Sequence, residues 1–131
     1  MKRHNIEFLW GWFDALRRRD MESMAAALAP DVIWQGVRPD LVCHGPDEVI
    51  AAFVTAYEAN QEIDSLEVIG GEDRIVLGAR GPDLAIDQVE TRGEIYNVFT
   101  IEAGKIRQIE DYLERRTALA AAGIKAPRDS P

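Results

Sequence analysis

Hydrophobic residues near the N-terminus recur at the three- and four-residue spacing of an amphipathic helix. The repeating positions are Ile6, Leu9, Phe13 and Leu16, and Asn5 just before them can cap the helix. This pattern predicts a first helix that turns one apolar face toward the protein interior.

Two further helices are predicted in the first half of the chain. Asp20 can cap a short helix that ends before Pro30, and Pro46 stands in the first turn of a third helix. Acidic residues follow Pro46, where they suit the positive end of the helix dipole. Between these helices, residues 31–36 indicate a short strand and residues 37–44 a loop.

The second half of the chain has the composition and spacing of a β-meander. Glycine at the short turn 102–104 favours a tight hairpin, and Gly123 is a typical helix C-cap. The predicted elements are strands at 63–69, 74–80, 91–101 and 105–113, a polar loop at 81–90, and a helix at 114–122.

Helices followed by an antiparallel meander predict an α+β fold. We expect a cone-shaped, curved, antiparallel or mixed sheet, with the three N-terminal helices packed on its concave face and a short C-terminal helix. A cone of this kind tends to keep part of its interior unfilled. Residues 1–124 are expected to form one domain, and residues 125–131 a frayed tail.

The order and spacing of these elements resemble the nuclear transport factor 2-like (cystatin-like) superfamily, and within it the SnoaL-like domain group. The resemblance implies a pocket inside the cone and a homodimer. It does not imply one chemistry, because members include isomerases, aldol-type cyclases, dehydratases, epoxide hydrolases and plain binding modules. The segments that carry it are 5–16 with Arg19-Asp20, 28–34, 44–49, 71–76, 98–106, 112–116 and 118–123.

Charge and composition narrow the classes of partner. The chain has 131 residues and a formal net charge of −8, which disfavours nucleic acid and anionic membrane surfaces. Cys43 is the single cysteine, so an intramolecular disulfide is excluded. No apolar run reaches the roughly 20 residues of a membrane span. We therefore expect a cytoplasmic protein without membrane or nucleic-acid partners.

Alternation along the last two strands predicts which side chains face the pocket. A three-residue turn would place Asn97 opposite Ile109 and Ile95 opposite Asp111. A register error of one residue would replace Asn97 with Tyr96. The predicted pocket face consists of Ile95, Asn97, Phe99, Ile109, Asp111 and Leu113.

Asp111 is the main candidate for chemistry. A lone carboxylate among apolar neighbours is desolvated, which raises its pKa toward the range useful for proton transfer. In SnoaL-like cyclases the catalytic acid/base is an aspartate of the last strand, and the resemblance places Asp111 at that position. The alternative is a strand-end aspartate that pairs with Arg107, Arg115 or Arg116 or faces solvent.

The remaining candidates are one polar residue and four aromatic residues. Asn97 could hold a substrate carbonyl or hydroxyl across the pocket from Asp111, or it could simply be satisfied within the sheet. The four predicted aromatic walls, each with plain core packing as its alternative, are Trp12, Trp34, Phe53 and Tyr57.

The chain departs from several reactions known in the superfamily. The ketosteroid isomerase base and its two oxyanion-binding groups would fall at Gly36, Trp12 and Asn97, none of which is the expected residue. The scytalone dehydratase type needs two pocket histidines, whereas His4 and His44 stand at the chain start and just before a helix. The limonene epoxide hydrolase type needs an Arg-x-Asp that residues 95–97 lack. No spacing typical of metal ligands is present.

Two functions remain open on this evidence. One is a cofactor-independent acid/base enzyme, of the isomerase, cyclase or lyase kind, in which Asp111 acts on an apolar carbonyl substrate. The other is a non-catalytic module for hydrophobic-ligand binding or dimerisation. Either is expected to hold a small apolar molecule and to dimerise through the outer sheet face, which carries Tyr96, Val98, Ile106 and Tyr112.

Overall fold

The computed structural model describes residues 2–60, 62–86, 89 and 91–124, with side chains from residue 5 onward. The predicted tail, 125–131, lies outside the described residues. The helices are α1 (Lys2–Arg17), α2 (Met21–Ala26), α3 (Gly45–Ala59) and α4 (Arg115–Ala122). The strands are β1 (Leu28–Gln35), β2 (Val42–His44), β3 (Ser65–Gly70), β4 (Arg74–Arg80), β5 (Glu94–Glu102) and β6 (Lys105–Tyr112).

The described strands form one mixed, curved, open sheet in the order β2-β1-β6-β5-β4-β3. β1 runs parallel to β6, and the other neighbours are antiparallel. Apolar residues of α1 and α3, including Leu9, Trp12 and Val49, are buried in one core cluster with Phe99 and Ile109 of the sheet. The predicted α+β class is confirmed.

The β5–β6 hairpin corrects the predicted register. Its turn is Ala103-Gly104, both with positive φ, and a pairing irregularity follows between Thr100 and Ile101. As a result Asn97 lies opposite Asp111, not opposite Ile109. The predicted pairing was wrong by two residues because the extra residue lies in the strand rather than in the turn. A shift of two residues keeps Asn97 and Asp111 on the face predicted for them.

Helix α4 covers part of the outer face of the sheet. Ala118, Leu119 and Ala122 of α4 are buried together with Tyr96 and Val98.

Ile106, predicted to share the outer face with Tyr96 and Val98, belongs instead to the inner core, because the irregularity in β6 changes its side. These three residues are therefore not available as the predicted dimer surface, and Tyr112 is partly buried against the α4 cluster. The homodimer itself stays a prediction.

Several element boundaries also differ from the prediction; β1, for example, begins at Leu28 and not at residue 31. α1 begins at Lys2, and the amide of Asn5 donates to the backbone oxygen of Glu72 at 3.3 Å instead of capping a helix. Part of the predicted loop 37–44 is strand β2, which pairs with the end of β1 after Gly36 N–H donates to Leu41 O at 2.7 Å. None of the described helices combines the length and apolar character needed to cross a bilayer.

Candidate functional site

A cavity of about 1080 Å³ lies between the inner face of the sheet and helices α1 and α3. Most of its wall is apolar. Trp34, Phe53, Tyr57 and Ile95, all predicted as wall residues, line it. The volume is slightly above the usual range for small-molecule sites, about 300–1,000 Å³. A drug-sized apolar molecule fits this space.

Asp111 is the buried carboxylate of this cavity, with 6% of its surface exposed. Its Oδ1 accepts a hydrogen bond from Trp34 Nε1 at 2.8 Å and another from Asn97 Nδ2 at 2.6 Å. The sheet explains this convergence. β5 places Asn97 directly opposite Asp111, and β1 places Trp34 opposite Ile109, two residues before Asp111 on the same face. Three adjacent strands thus supply one residue each.

The carboxylate is therefore not the lone group that the sequence suggested. Its two N–H partners come from side chains predicted as a ligand handle and as an aromatic wall. Two of the arginines proposed as alternative partners lie against other carboxylates. Arg107 contacts Asp31 at 2.9 Å, and Arg115 donates to Glu67 at 3.0 and 2.9 Å. Burial and two fixed donors set the position of Asp111 before any ligand arrives.

Four of the predicted wall residues lie outside the cavity lining. Trp12, Phe99 and Ile109 are at most 2% exposed and belong to the packed core, where Trp12 Nε1 donates to Met24 O at 3.1 Å. Leu113 packs against the cluster formed by Leu84, Ile86 and Ile95 and borders a separate, smaller cavity of about 510 Å³. Of the predicted pocket face, the cavity lining contains Ile95, Asn97 and Asp111.

Sequence reasoning missed one end of the cavity. Leu84, Ala85 and Ile86 line it, although they belong to a stretch predicted as a polar loop. The apolar triplet inside that stretch was the signal that could have identified them. Asn60, at the end of α3, also lines the cavity.

Aromatic rings connect the buried carboxylate to the protein surface. The ring centroids of Trp34 and Phe53 are 5.5 Å apart. Those of Phe53 and Phe13 are 5.3 Å apart, and those of Phe13 and Trp10 are 5.9 Å apart. Trp10 is 41% exposed at the cavity rim. Ring pairs at such distances attract each other, so the four side chains form one continuous aromatic wall.

The charged residues near the rim are paired with each other. Arg18 and Arg17 donate to Asp14 at 2.9 and 2.6 Å and hold the pKa of its carboxyl below the usual range. Asp40 contacts Arg38 at 3.0 Å. Across the described residues, no group of three or more His, Cys, Asp or Glu side chains is placed to hold a metal ion.

The comparison with protein families agrees with this architecture. The model of the SnoaL-like domain matches residues 11–109, which include the strands that carry Trp34 and Asn97. The chain belongs to the SnoaL-like domain family. No match was found among curated protein sequences.

Solved structures share the fold of this SnoaL-like domain. An NTF2-like protein of Burkholderia xenovorans LB400 is 19% identical, with a TM-score of 0.63, over 93% of this chain and 97% of its own. A protein of Jannaschia sp. CCS1, proposed to be a SnoaL-like polyketide cyclase, is 17% identical, with a TM-score of 0.63, over 97% and 96%. TerC, co-crystallised with polyporic acid, is 20% identical, with a TM-score of 0.57, over 90% and 96%.

Proposed function

We propose that this SnoaL-like domain binds a small apolar carbonyl compound in the large cavity and that Asp111 exchanges a proton with it. The observation that carries the proposal is a buried carboxylate fixed by two N–H donors on the wall of an apolar cavity. No cofactor is needed for this chemistry. The co-crystal of TerC with polyporic acid supports the general idea of a ligand within this fold.

Asp111 is suited to act as a base toward an acidic C–H or O–H group. A carboxylate fixed by neighbouring donors needs little reorganisation when the substrate arrives. Its apolar surroundings exclude water and strengthen its interaction with a proton of the substrate. The aromatic row from Trp34 to Trp10 would hold the rest of the molecule, and Tyr57 would border it.

The proposal can be tested with a simple apolar ketone. 2-Tetralone in D₂O should incorporate deuterium next to its carbonyl faster with the protein than without it, as followed by mass spectrometry. Asp111→Asn should remove this acceleration, since the amide cannot accept the proton. We expect a loss of at least about 100-fold, the typical contribution of a general base.

Asp40→Asn is the matched control. Asp40 also lines the cavity, but its side chain is 66% exposed and paired with Arg38. Its variant should keep the wild-type exchange rate. Equal exchange rates in the wild-type protein and in Asp111→Asn would contradict the catalytic role.

The second candidate function is ligand binding without turnover. One observation favours it: Asp111 already accepts hydrogen bonds from Trp34 and Asn97 within the protein, as a structural carboxylate does. Under this alternative, a neutral apolar dye such as N-phenyl-1-naphthylamine binds to the wild-type protein, and no ketone of the tetralone type undergoes accelerated exchange. Both functions predict binding of the dye, so the exchange assay separates them.

A further inference from the structure

The charged residues that line the large cavity are mostly acidic. The acids are Asp14, Asp40 and Asp111, and among the described residues of the lining the single base is Arg17. The guanidinium of Arg17 donates to Asp14 at 2.6 Å. The chain as a whole has a formal net charge of −8. Both the lining and the net charge therefore favour the approach of a cation over that of an anion.

Asp111 is the acidic residue of this lining that is withdrawn from water. It is 6% exposed, whereas the side chains of Asp14 and Asp40 are 46% and 66% exposed. The two hydrogen bonds that Asp111 Oδ1 accepts come from neutral groups, the indole of Trp34 and the amide of Asn97. Donors of this kind stabilise the ionised carboxyl group and leave its negative charge in place.

The burial of Asp111 in the free protein changes the energetics of binding a charged ligand. When a buried ion pair forms from two hydrated ions, the lost hydration of both ions offsets their attraction. A cation that binds beside Asp111 loses only its own hydration, because the carboxylate is already dehydrated and held in place. It gains the attraction of a negative charge in apolar surroundings, where Coulomb interactions are strong. A carboxylate of the ligand would instead be repelled.

Aromatic rings provide a second interaction with a cation. The aromatic wall begins at Trp34, whose indole donates to Asp111, and its four members all line the cavity. A ring attracts a cation that lies near its face. Tyr57, which also lines the cavity, already takes part in such a contact, since the guanidinium carbon of Arg19 lies 5.5 Å from its ring centroid.

We propose that the large cavity prefers a lipophilic amine, bound as its ammonium ion, over neutral or anionic molecules of the same shape. The ammonium group donates to the carboxylate of Asp111, and the apolar body of the molecule contacts the aromatic wall together with Leu77 and Ile95 of the lining. The inference concerns the charge of the ligand and not the reaction. It rests on the proposed function only in taking the cavity to be a ligand site.

Three tetralin derivatives test this preference, because they share one bicyclic body and differ in charge. 2-Aminotetralin is a cation at neutral pH, 2-tetralol is neutral and tetralin-2-carboxylate is an anion. Isothermal titration calorimetry with the wild-type protein gives Kd for each compound. We expect the amine to bind at least about tenfold more tightly than the alcohol, and the carboxylate to bind most weakly. An amine that binds no more tightly than the alcohol would overturn the proposal.

Asp111→Asn tests whether the preference comes from this carboxylate. The amide keeps the shape of the side chain and removes its charge, so the amine should lose its advantage while 2-tetralol still binds. Binding of the alcohol also shows that the cavity of the variant is intact. If the variant does not fold, the three Kd values of the wild type still decide whether the preference exists.

Asp31→Asn is the matched control. It removes one negative charge as well, but the side chain of Asp31 is 64% exposed, pairs with Arg107 at 2.9 Å and lies outside the cavity lining. This variant should keep the wild-type preference for the amine. A preference that survives in Asp111→Asn, or that is lost in Asp31→Asn, would refute the role of Asp111 as the partner of the ammonium group.

The deuterium exchange of 2-tetralone separates a failure of this inference from a failure of the proposed function. Accelerated exchange that depends on Asp111, without preferential binding of 2-aminotetralin, would keep the proposed function and refute the inference. Preferential binding of the amine without accelerated exchange would support the inference and refute the catalytic role. If none of the three tetralin derivatives binds, the inference fails, and the exchange assay still decides the proposed function.

Discussion

The inner face of the sheet has two ends that differ in packing, although the same strands build both. At the closed end, Phe99 of β5 lies opposite Ile109 of β6, and both are 0% exposed in the core. At the open end, the next inward pair is Asn97 and Asp111, which borders the cavity. One step along the same two strands therefore separates solid packing from a ligand-sized space.

The helices explain the difference. At the closed end, the indole of Trp12 lies 6.1 Å from the ring of Phe99 and fills the space beside it. At the open end, α3 presents Ala52 and Ala56, which line the cavity. Small side chains opposite the strands leave the volume unfilled. Alternation along a strand thus decides which face of the sheet a side chain lies on. The size of the opposing helix side chains decides whether that face borders a packed core or a cavity.

The largest expected effect comes from removing a fully packed ring at the closed end. Phe99→Ala should lower the free energy of unfolding by about 3–5 kcal/mol, because a fully packed ring leaves a cavity that the surroundings cannot fill. Urea denaturation measures this change. Binding of N-phenyl-1-naphthylamine should persist where the variant is folded, since Phe99 does not line the cavity.

Phe53→Ala is the matched change at the open end. The ring of Phe53 is 7% exposed and borders the cavity, so part of its surface has no packing partner to lose. We expect its cost to be smaller than that of Phe99→Ala by about 1 kcal/mol or more. Dye binding should weaken in this variant. Equal stabilities of the two variants would show that the two ends do not differ in packing.

The next effect concerns the polar pair at the open end. Asn97→Leu removes one donor to Asp111 and should cost about 1–3 kcal/mol, because a buried acceptor loses a partner. The double variant Asn97→Leu with Asp111→Leu should recover at least half of this loss, since no carboxylate remains to be satisfied. Urea denaturation of the two single variants and the double variant forms the cycle. Additive losses would mean that the 2.6 Å contact carries no coupling.

Much of this fold could be predicted from the sequence alone. β4 was predicted with its observed bounds, Arg74–Arg80. The inward direction of Asn97 and Asp111 followed from two-residue alternation, which depends on local backbone geometry. The register between β5 and β6 did not follow, because it depends on an irregularity at Thr100 and Ile101 that no local pattern marked. That irregularity brings Asn97 opposite Asp111.

The extent of the cavity could not be predicted for a different reason. Trp12 and Trp34 are both buried tryptophans whose N–H finds an acceptor, one at Met24 O and the other at Asp111. Residue type alone does not distinguish them, since which indole borders empty space depends on long-range packing between α1, α3 and the sheet. The cavity residues Leu84, Ala85 and Ile86 were missed because their partners lie far away in sequence, as Asn60 does from Ala85.

An effect of similar size is expected on the outer side of the strand that forms the wall of the open end. Tyr96 lies between Ile95 and Asn97 in β5, faces outward, and covers Gly78; a Cβ on Gly78 would lie 2.7 Å from Tyr96 Cε1. Gly78→Ala must displace this ring and should cost about 1–3 kcal/mol.

Gly11→Ala in α1 is the control, because a Cβ there meets nothing within 4 Å. It should instead stabilise by about 0.5–1 kcal/mol, as expected for alanine in place of glycine in a helix. A drop in dye affinity for Gly78→Ala and not for Gly11→Ala would show that packing on the outer face keeps the open end in shape. If neither variant changes the affinity for the dye, packing on the outer face has no influence on the cavity.

The smallest effect should come from the ion pair that joins α4 to β3 on that outer side. Hydrogen bonds from Arg115 hold the pKa of Glu67 below its usual range. Because the folded-state pKa is depressed, the pair stabilises the protein above the ordinary glutamate pKa of about 4.3, and this contribution is lost as the pH falls through the lower folded-state value. Both side chains are partly exposed, at 25% and 46%, so solvent screening limits the gain to about 0.2–1 kcal/mol.

Glu67→Gln should therefore be less stable than the wild type by that amount in urea at neutral pH, and the difference should vanish in acid. A difference that persists in acid would assign the effect to packing of α4 and not to charge.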